Sequence, residues 1–541
     1  MRREHWSGKL AFILAASGSA IGLGNLWKFP YITYDNGGGL FILVYLTCIV
    51  LIGFPMMISE IGLGKLSERN PVGAFAKFAG AHSSYRYVGA LGVISAFLIL
   101  SYYSVVAGWS LEYCLKALVG EFRAIPYEVK KELLEREATQ VQLRKQALKE
   151  FLGRQLTDEE RQRLMLDARL ISEGSYPAQE IANLFQRLNK EQLISHLEKN
   201  KRALYWENYF FAKMKEQKDY LSWENKLLLP LYSTQLFENF LGNKIRVIFW
   251  HLVFMALTFL IIIRGIKGGI ERSVRVFMPL LFLLVLILMV NSLMLDKEQE
   301  AVRFMLSGEP KKLKPNSILE ALGHAFFTLS LGMGAMMTYG SYMSKSSDVI
   351  RDAIWVVVMD TLIALMACLM IFPIIFVYGM SPSQGIGILF TTLPLELQKF
   401  PLGGFLTLLF YLLVFIAALT SSISLMEVPV SYLVDEWKYS RAKATSLVFF
   451  SAFLLGIPSA LSVDQFLTWA DRIASNLFLP LGGFFITLFI GYRVQPELLK
   501  AEFTAFHYPL WLFYFYKFSM RYLTPFLMLL VAGHLVYALF Y

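Results

Sequence analysis

The stretch Gly18-Ser-Ala-Ile-Gly-Leu-Gly-Asn-Leu-Trp-Lys-Phe-Pro30 places three glycines, a serine, an asparagine and a lysine inside an apolar N-terminal run. A helix crossing lipid must satisfy every backbone polar group. A break at that depth survives only where protein buries it or where it lines a cavity. Such a break frees carbonyls that can hold a cation, and N–H groups at a half-helix start that can hold an anion. The chemistry these residues suggest is therefore binding, not bond-making. A second stretch, Phe326-Phe-Thr-Leu-Ser-Leu-Gly-Met-Gly-Ala335, has the same character. Either set of glycines alone could serve close helix packing. As a pair, with Asn25, Thr328 and Ser330 inside them, they point to a midplane site between two structural repeats.

The elements that must position these breaks are membrane helices. The chain has 541 residues, 56% hydrophobic and 15% aromatic, with a mean hydropathy of +0.50. A soluble protein of this length is rarely so apolar. The apolar runs are continuous and do not alternate, which excludes barrel strands. Eleven spans are expected, at about 10–30, 38–62, 87–117, 246–263, 274–296, 319–341, 352–378, 404–434, 444–461, 471–492 and 511–538. The fold class is thus an all-α integral membrane protein. The two breaks open the first and sixth spans.

The net charge of +10 is explained by cytoplasmic loops, not by nucleic acid. Arg2, Arg3 and Lys9 flank the first span, and Arg264, Lys267, Arg272 and Arg275 share one short loop. Placing both inside puts the N-terminus in the cytoplasm and, with an odd span count, the C-terminus outside. No cleavable signal peptide is expected, because the first span lacks a small-residue cleavage site and runs on into the break. Cys48, Cys114 and Cys368 fall in or beside spans, so neither a disulfide nor a metal cluster is expected. The absence of an Asn-x-Ser/Thr acceptor favours a prokaryotic source and hence the inner membrane.

The expected organisation is 1–117 for the first three spans, 118–245 for a polar helical insertion, 246–296 for spans four and five, 297–492 for spans six to ten, and 493–541 for the last. Within the insertion, Thr157 and Glu160 form a capping box, and Leu133, Leu134, Val141, Leu148 and Leu152 recur at helical spacing. The span count places this segment outside the cell.

Several motifs together resemble one family. They are Arg3-Glu-His-Trp6, Gly22-Leu-Gly-Asn-Leu-Trp-Lys-Phe-Pro30, Asn36-Gly-Gly-Gly39, Tyr102-Tyr103, Arg264-Gly-Ile-Lys-Gly-Gly-Ile-Glu-Arg272, Phe326-Phe-Thr-Leu-Ser330, Thr392-Leu-Pro394 and Leu419-Thr-Ser-Ser422. In this order they resemble the neurotransmitter:sodium symporters. That resemblance implies a leucine-transporter fold: an inverted repeat of five plus five helices with one further helix. It covers the eleven spans but is not expected to cover residues 121–235.

The resemblance also implies two sodium sites and one amino-acid site. The first sodium site would take Asn25, Thr328, Asp360 and the carbonyl of Ala20. The second would take the carbonyls of Gly18, Ile21 and Ala417 with the hydroxyls of Thr420 and Ser421. For Thr420 the alternative is back-bonding to the preceding helical turn. The amino-acid carboxylate would meet the N–H groups of Leu23 and Gly24 and the Tyr103 hydroxyl. Its ammonium would meet carbonyls of Ala20, Phe327 and Thr328 and the Ser330 hydroxyl. Its side chain would lie against Ile99, Phe327, Met333, Ser421 and Leu425, so hydrophobic substrates, aromatic or branched, are expected.

Asp360 departs from relatives that carry a neutral residue there and need chloride; Ala364, one turn on, is where others carry a carboxylate. Asp360 implies chloride independence. Lys28 and Asp471 would form the outer charged gate, with lysine where relatives have arginine. Arg3 and Asp435, with Trp6, Ser341 and Tyr342, would close the inner path. Glu60 is expected to bond N–H groups at the span-six break, and His324 to be a satisfied core residue.

The functional expectation is sodium-coupled symport of an amino acid across a lipid membrane by alternating access, with no nucleic-acid partner. An amino-acid sensor that transports slowly or not at all is the alternative. An enzyme is disfavoured because no nucleophile–base set or metal-ligand cluster converges on a span.

Overall fold

The structure is a computed structural model. It describes residues 4–122, 125–135, 220–378, 387–391, 393–398, 400, 402–494 and 497–540. Arg3, the Thr157–Glu160 capping box, Val141, Leu148, Leu152 and Thr392 lie outside these residues.

The described residues of the membrane part are helical apart from two breaks, at 21–22 and 329–334. α1 (Lys9–Ala20) gives way to a π-helical turn, Gly24–Lys28, and then to α2 (Phe29–Asp35). α3 (Gly39–Cys48) and α4 (Phe54–Ser67) form the second span, joined by a π turn at Ile49–Gly53. A short α5 (Pro71–Ala79) precedes α6 (Arg86–Val119). α7 (Tyr127–Glu135) and α8 (Tyr220–Gly242) come next, then α9 (Lys244–Ile262) and α10 (Arg272–Ser292). α11 (Glu298–Ser307) leads to α12 (Pro315–Thr328) and, beyond the second break, α13 (Ala335–Gly340). α14 (Val349–Tyr378), α15 (Gly387–Thr391) and α16 (Leu393–Gln398) precede α17 (Gly403–Glu436) and α18 (Arg441–Leu461). The chain ends with α19 (Thr468–Ile473) and α20 (Leu479–Leu488), which share one run, then α21 (Glu497–Ala505), α22 (Leu510–Phe518) and α23 (Thr524–Phe540).

Seven of the described helical runs are long and apolar enough to cross a membrane. The pair Lys9–Ala20 and Gly24–Asp35, bent by 54°, makes an eighth. α6 and α17 carry the core. In their most apolar windows 72% and 78% of residues are buried in protein, against 33% for α9 and α10. A helix apolar all round is either deep in protein or faces lipid, and burial separates the two pairs. Near one end of α6, Trp109 and Tyr113 pack edge-on against Phe390, at 5.6 and 5.0 Å between ring centroids.

Residues 122–236 cluster as a unit of their own. Its described core is small: Leu133, Leu228 and Tyr232 are buried together, with Ile125, Val129 and Leu134 against them.

Candidate functional site

The first break is held open by its own side chain. α1 ends where Ile21 N–H bonds the Ser17 carbonyl at 2.7 Å, and Ile21 and Gly22 leave the helix. Asn25 then bridges the gap, its Oδ1 accepting the Gly22 N–H at 3.1 Å. The second break is a run of left-handed residues: Ser330 at φ 53°, Gly332 at φ 81° and Gly334 at φ 76°. Only glycine adopts such angles freely, which explains Gly-Met-Gly and makes Ser330 the strained member. Glu60, fully buried on α4, accepts the Gly332 N–H at 2.7 Å. A neighbouring helix thus satisfies a backbone donor that the break exposes, as expected from the sequence.

Between the breaks lies a small cavity. Its wall contains every residue expected around an amino acid: Ala20, Leu23 and Gly24 from the first break; Ile99 and Tyr103 from α6; Phe327, Thr328, Ser330 and Met333 from the second break; Ser421 and Leu425 from α17. Ser19, Gly22 and Asn25 complete it. Two glycines keep the space open. A Cβ on Gly22 would stand 2.7 Å from Ser421 Oγ, and one on Gly24 3.0 Å from the Phe327 ring. Leu23 N–H points to the Tyr103 hydroxyl at 3.4 Å. The lining combines hydroxyls and broken-helix backbone with the apolar Ile99, Met333 and Leu425, so it suits a small molecule that is charged at one end and oily at the other.

Beside the cavity, Asp360 is fully buried on α14. Its Oδ1 accepts from Asn25 Nδ2 at 2.8 Å and from Thr328 Oγ1 at 2.9 Å, and Tyr45 OH stands 3.5 Å from Oδ2. None of these donors is charged. A carboxylate buried among helices is costly unless something positive compensates it, so this set fits a cation. The three oxygen-bearing side chains expected for the first sodium site thus meet at one point.

The second expected set gathers where α1 meets α17. A Cβ on Gly18 would lie 3.2 Å from Thr420 Cβ. Ser421 Oγ stands 3.3 Å from the Ile21 carbonyl. Two oxygens at that separation suit neighbouring positions around a hard cation, whose ligands lie at roughly 2.3–2.6 Å. Thr420 differs in detail from the expectation. Its hydroxyl donates back to the Ile416 and Ala417 carbonyls, both at 3.1 Å. The helix interior offers no nearer acceptor, and the oxygen keeps lone pairs for an ion.

The outer gate is a correction. Lys28 and Asp471 do not pair. Asp471 Oδ1 accepts from Tyr102 OH at 3.0 Å and from Ser475 Oγ at 2.9 Å. Lys28 Nζ instead sits 4.9 Å from the Phe327 ring centroid. An ammonium over an aromatic face is attracted by the ring quadrupole, and Asp471 finds nearer donors on α6 and on its own helix. His324 is a second correction. It stacks on Phe29 at 5.4 Å, yet among the described residues neither buried ring nitrogen has a hydrogen-bond partner. Aromatic packing, not polar satisfaction, holds it.

The end expected to be the inner gate is packed around Trp6. Its indole N–H donates to the Tyr339 carbonyl and its backbone N–H to the Tyr342 carbonyl, each at 3.0 Å. Ser341 is buried in the same turn. Asp435 accepts the Asn70 N–H at 2.8 Å. Glu427, to which the sequence assigned no role, is the centre of this region. It accepts from Tyr342 OH at 2.7 Å and from Arg441 at 3.1 and 2.6 Å. A lone glutamate inside an apolar run, with an arginine fourteen residues on, was the available signal. The N-terminal segment is also latched to the basic loop: Glu4 Oε2 accepts the Ile266 N–H at 2.6 Å, and Ser7 bonds Glu271.

Comparison with known proteins gives three concordant results. The model of a family described as the sodium:neurotransmitter symporter family matches residues 3–158 and 184–539. Of residues 121–235, it therefore omits only 159–183, so the resemblance reaches further into the insertion than expected. An uncharacterized sodium-dependent transporter, YhdH of Bacillus subtilis, is 31% identical across 98% of this chain and 97% of its own. A sodium- and chloride-dependent glycine transporter 2 of Xenopus laevis is 25% identical over 84% of this chain and 54% of its own. Among solved structures, MhsT in complex with L-phenylalanine is 33% identical, with a TM-score of 0.73 over 98% of this chain and 99% of that one.

Proposed function

The chain belongs to the sodium:neurotransmitter symporter family, a family of sodium-dependent transporters and not of enzymes, with the leucine-transporter fold; from that premise we propose that it carries hydrophobic amino acids, aromatic or branched, inward with sodium by alternating access. The observation that carries this reading is the shared cavity. Leu23 and Gly24 of one broken helix, Tyr103 and Ser330 with their hydroxyls, and the apolar Ile99, Met333 and Leu425 all line it.

The amino-acid carboxylate sits at the Leu23 and Gly24 N–H groups, where the half-helix start favours an anion. Its ammonium faces the Ala20, Phe327 and Thr328 carbonyls and Ser330. MhsT was solved with L-phenylalanine, whose charged backbone end and apolar side chain match the mixed lining of this cavity. One sodium ion rests on Asn25, Thr328, Asp360 and the Ala20 carbonyl, and a second on Gly18, Ile21, Ala417, Thr420 and Ser421. Each ion moving inward down 100 mV gains about 2.3 kcal/mol. Asp360 supplies the negative charge, so chloride is not required. The Glu4–Ile266 bond supports placing the N-terminus on the same face as the basic loop, which is the cytoplasmic face by the positive-inside rule. The C-terminus is then outside, and the membrane is the cell's inner one.

The test is binding and uptake of labelled leucine, tryptophan, tyrosine and phenylalanine by purified protein, with and without sodium. Sodium-dependent binding followed by counterflow in proteoliposomes is the expected result. Binding without exchange of label points to a sensor, and binding indifferent to sodium overturns the reading.

A further inference from the structure

Four buried serines join the two broken helices to α17 in one hydrogen-bonded circuit. Ser19 Oγ donates to Ser424 Oγ at 2.6 Å, and Ser424 Oγ donates to the Ser421 carbonyl at 2.8 Å. Ser421 Oγ returns toward the Ser19 carbonyl at 3.3 Å and shares its proton with the Ile21 carbonyl, also at 3.3 Å. Ser330 Oγ, on the second break, donates to the same Ser19 carbonyl at 2.9 Å. All four residues are less than 9% exposed, so water does not readily substitute for these bonds. Ser424 belongs to neither the ion sets nor the cavity wall, and Ser19 lines the cavity without a role assigned to it above.

We propose that Ser19 is the positioning residue that transmits occupancy of the second sodium site to the amino-acid site. The inference rests on the sodium-coupled reading of that site. The Ser421 proton is divided between two carbonyls, and neither bond is short. A cation held by the Ile21 carbonyl and Ser421 Oγ repels that proton from Ile21 and moves it onto the Ser19 carbonyl. No covalent bond changes; one hydroxyl rotates. The Ser19 carbonyl then accepts from Ser421 and Ser330 together. In a low-dielectric interior each of these bonds is electrostatically stronger than in water, so the two donors together hold that carbonyl, and Ser330 with it, in place. Ser330 Oγ is thereby fixed with its lone pairs toward the cavity, where an ammonium group is received. The Ser19–Ser424 bond keeps residue 19 in register with α17, so the ion and the amino acid act on one carbonyl. Coupling between two ligands is reciprocal, so the amino acid tightens sodium by the same route.

The experiment measures labelled L-phenylalanine affinity at low and saturating sodium for the full-length purified protein. Ser19→Ala and Ser424→Ala each remove one end of the same bond. Each is expected to reduce the sodium-induced gain in affinity about fivefold, the worth of roughly one buried hydrogen bond. The double variant should lose no more than either single one, since they share an interaction. Ser424→Thr, which keeps the hydroxyl, should retain the gain. A purely structural role would lower protein yield or affinity at both sodium levels and leave the gain unchanged. An unchanged gain in Ser424→Ala, or additive losses in the double variant, overturns the proposal while the wild type still responds to sodium. A wild type that ignores sodium overturns the symporter reading as well.

Discussion

The Asn25 side-chain amide donates to Asp360 Oδ1 at 2.8 Å, across the interface between the first broken helix and α14. Thr328 Oγ1 donates to the same oxygen. One carboxylate therefore ties both breaks to a third helix, and it does so without a basic partner among these donors. Asp360→Asn keeps the shape and removes the charge. The loss of charge-assisted contacts, about 1.5–3 kcal/mol, should raise the sodium concentration needed for half-maximal binding roughly 10–100-fold. Sodium titration of amino-acid binding checks this.

The same carboxylate predicts how the wild type treats anions. Uptake should be unchanged when chloride is replaced by gluconate, because Asp360 already supplies the negative charge beside the ion. Strong loss of uptake would show that the charge balance is made elsewhere.

Lys28 and Asp471 should behave independently. Lys28 lies over Phe327, and Asp471 is bonded by Tyr102 and Ser475. In a double-mutant cycle of Lys28→Met and Asp471→Asn on substrate affinity, the coupling energy should be within about 0.5 kcal/mol of zero. Stronger coupling would show that the pair forms during the transport cycle.

Removing the centre of the inner closure should bias the protein toward the cytoplasm. Glu427→Ala leaves Arg441 and the Tyr342 hydroxyl without their shared acceptor. Breaking one partner of a buried ion pair costs about 3–5 kcal/mol, and here the cost falls on the closed inner face. A cysteine placed at Tyr342 in this background should be labelled faster from the cytoplasmic side than in the parent.

Much of this site was legible in the sequence because its parts obey local rules. Glycines that allow φ above zero, an asparagine at a break, and paired hydroxyls on a long helix each announce themselves within a few residues. The fold was legible for a similar reason: apolar length is a local property, and many such runs leave few arrangements. What failed was long-range pairing. Lys28 and Asp471 have opposite charges, but sequence does not show that an aromatic face lies closer to one and two hydroxyls closer to the other. Glu427 was passed over because its partners come from the turn after α13 and from α18, which meet it only in three dimensions. Ser19 lay in plain view, yet its role depends on a carbonyl, and carbonyls have no signature in a sequence.

Glu60 on α4 holds the Gly332 N–H, and lower on the same helix Gly64 and Ile61 meet α13 backbone to backbone, at Met337 and Gly340. These contacts leave no slack: a methyl group at Gly64 or Gly340 would have to occupy the neighbouring carbonyl. The second half of the broken sixth span and the lower second span are therefore one mechanical part. Any hinge that opens the cavity must lie outside that part, and the π turns at Gly24–Lys28 and Ile49–Gly53 mark two places where the backbone has slack to give. A substitution at Gly64, whose own contacts are with α13 and not with the cavity lining, should then register as a transport defect with ligand binding intact, because it would jam a lever and leave the pocket untouched.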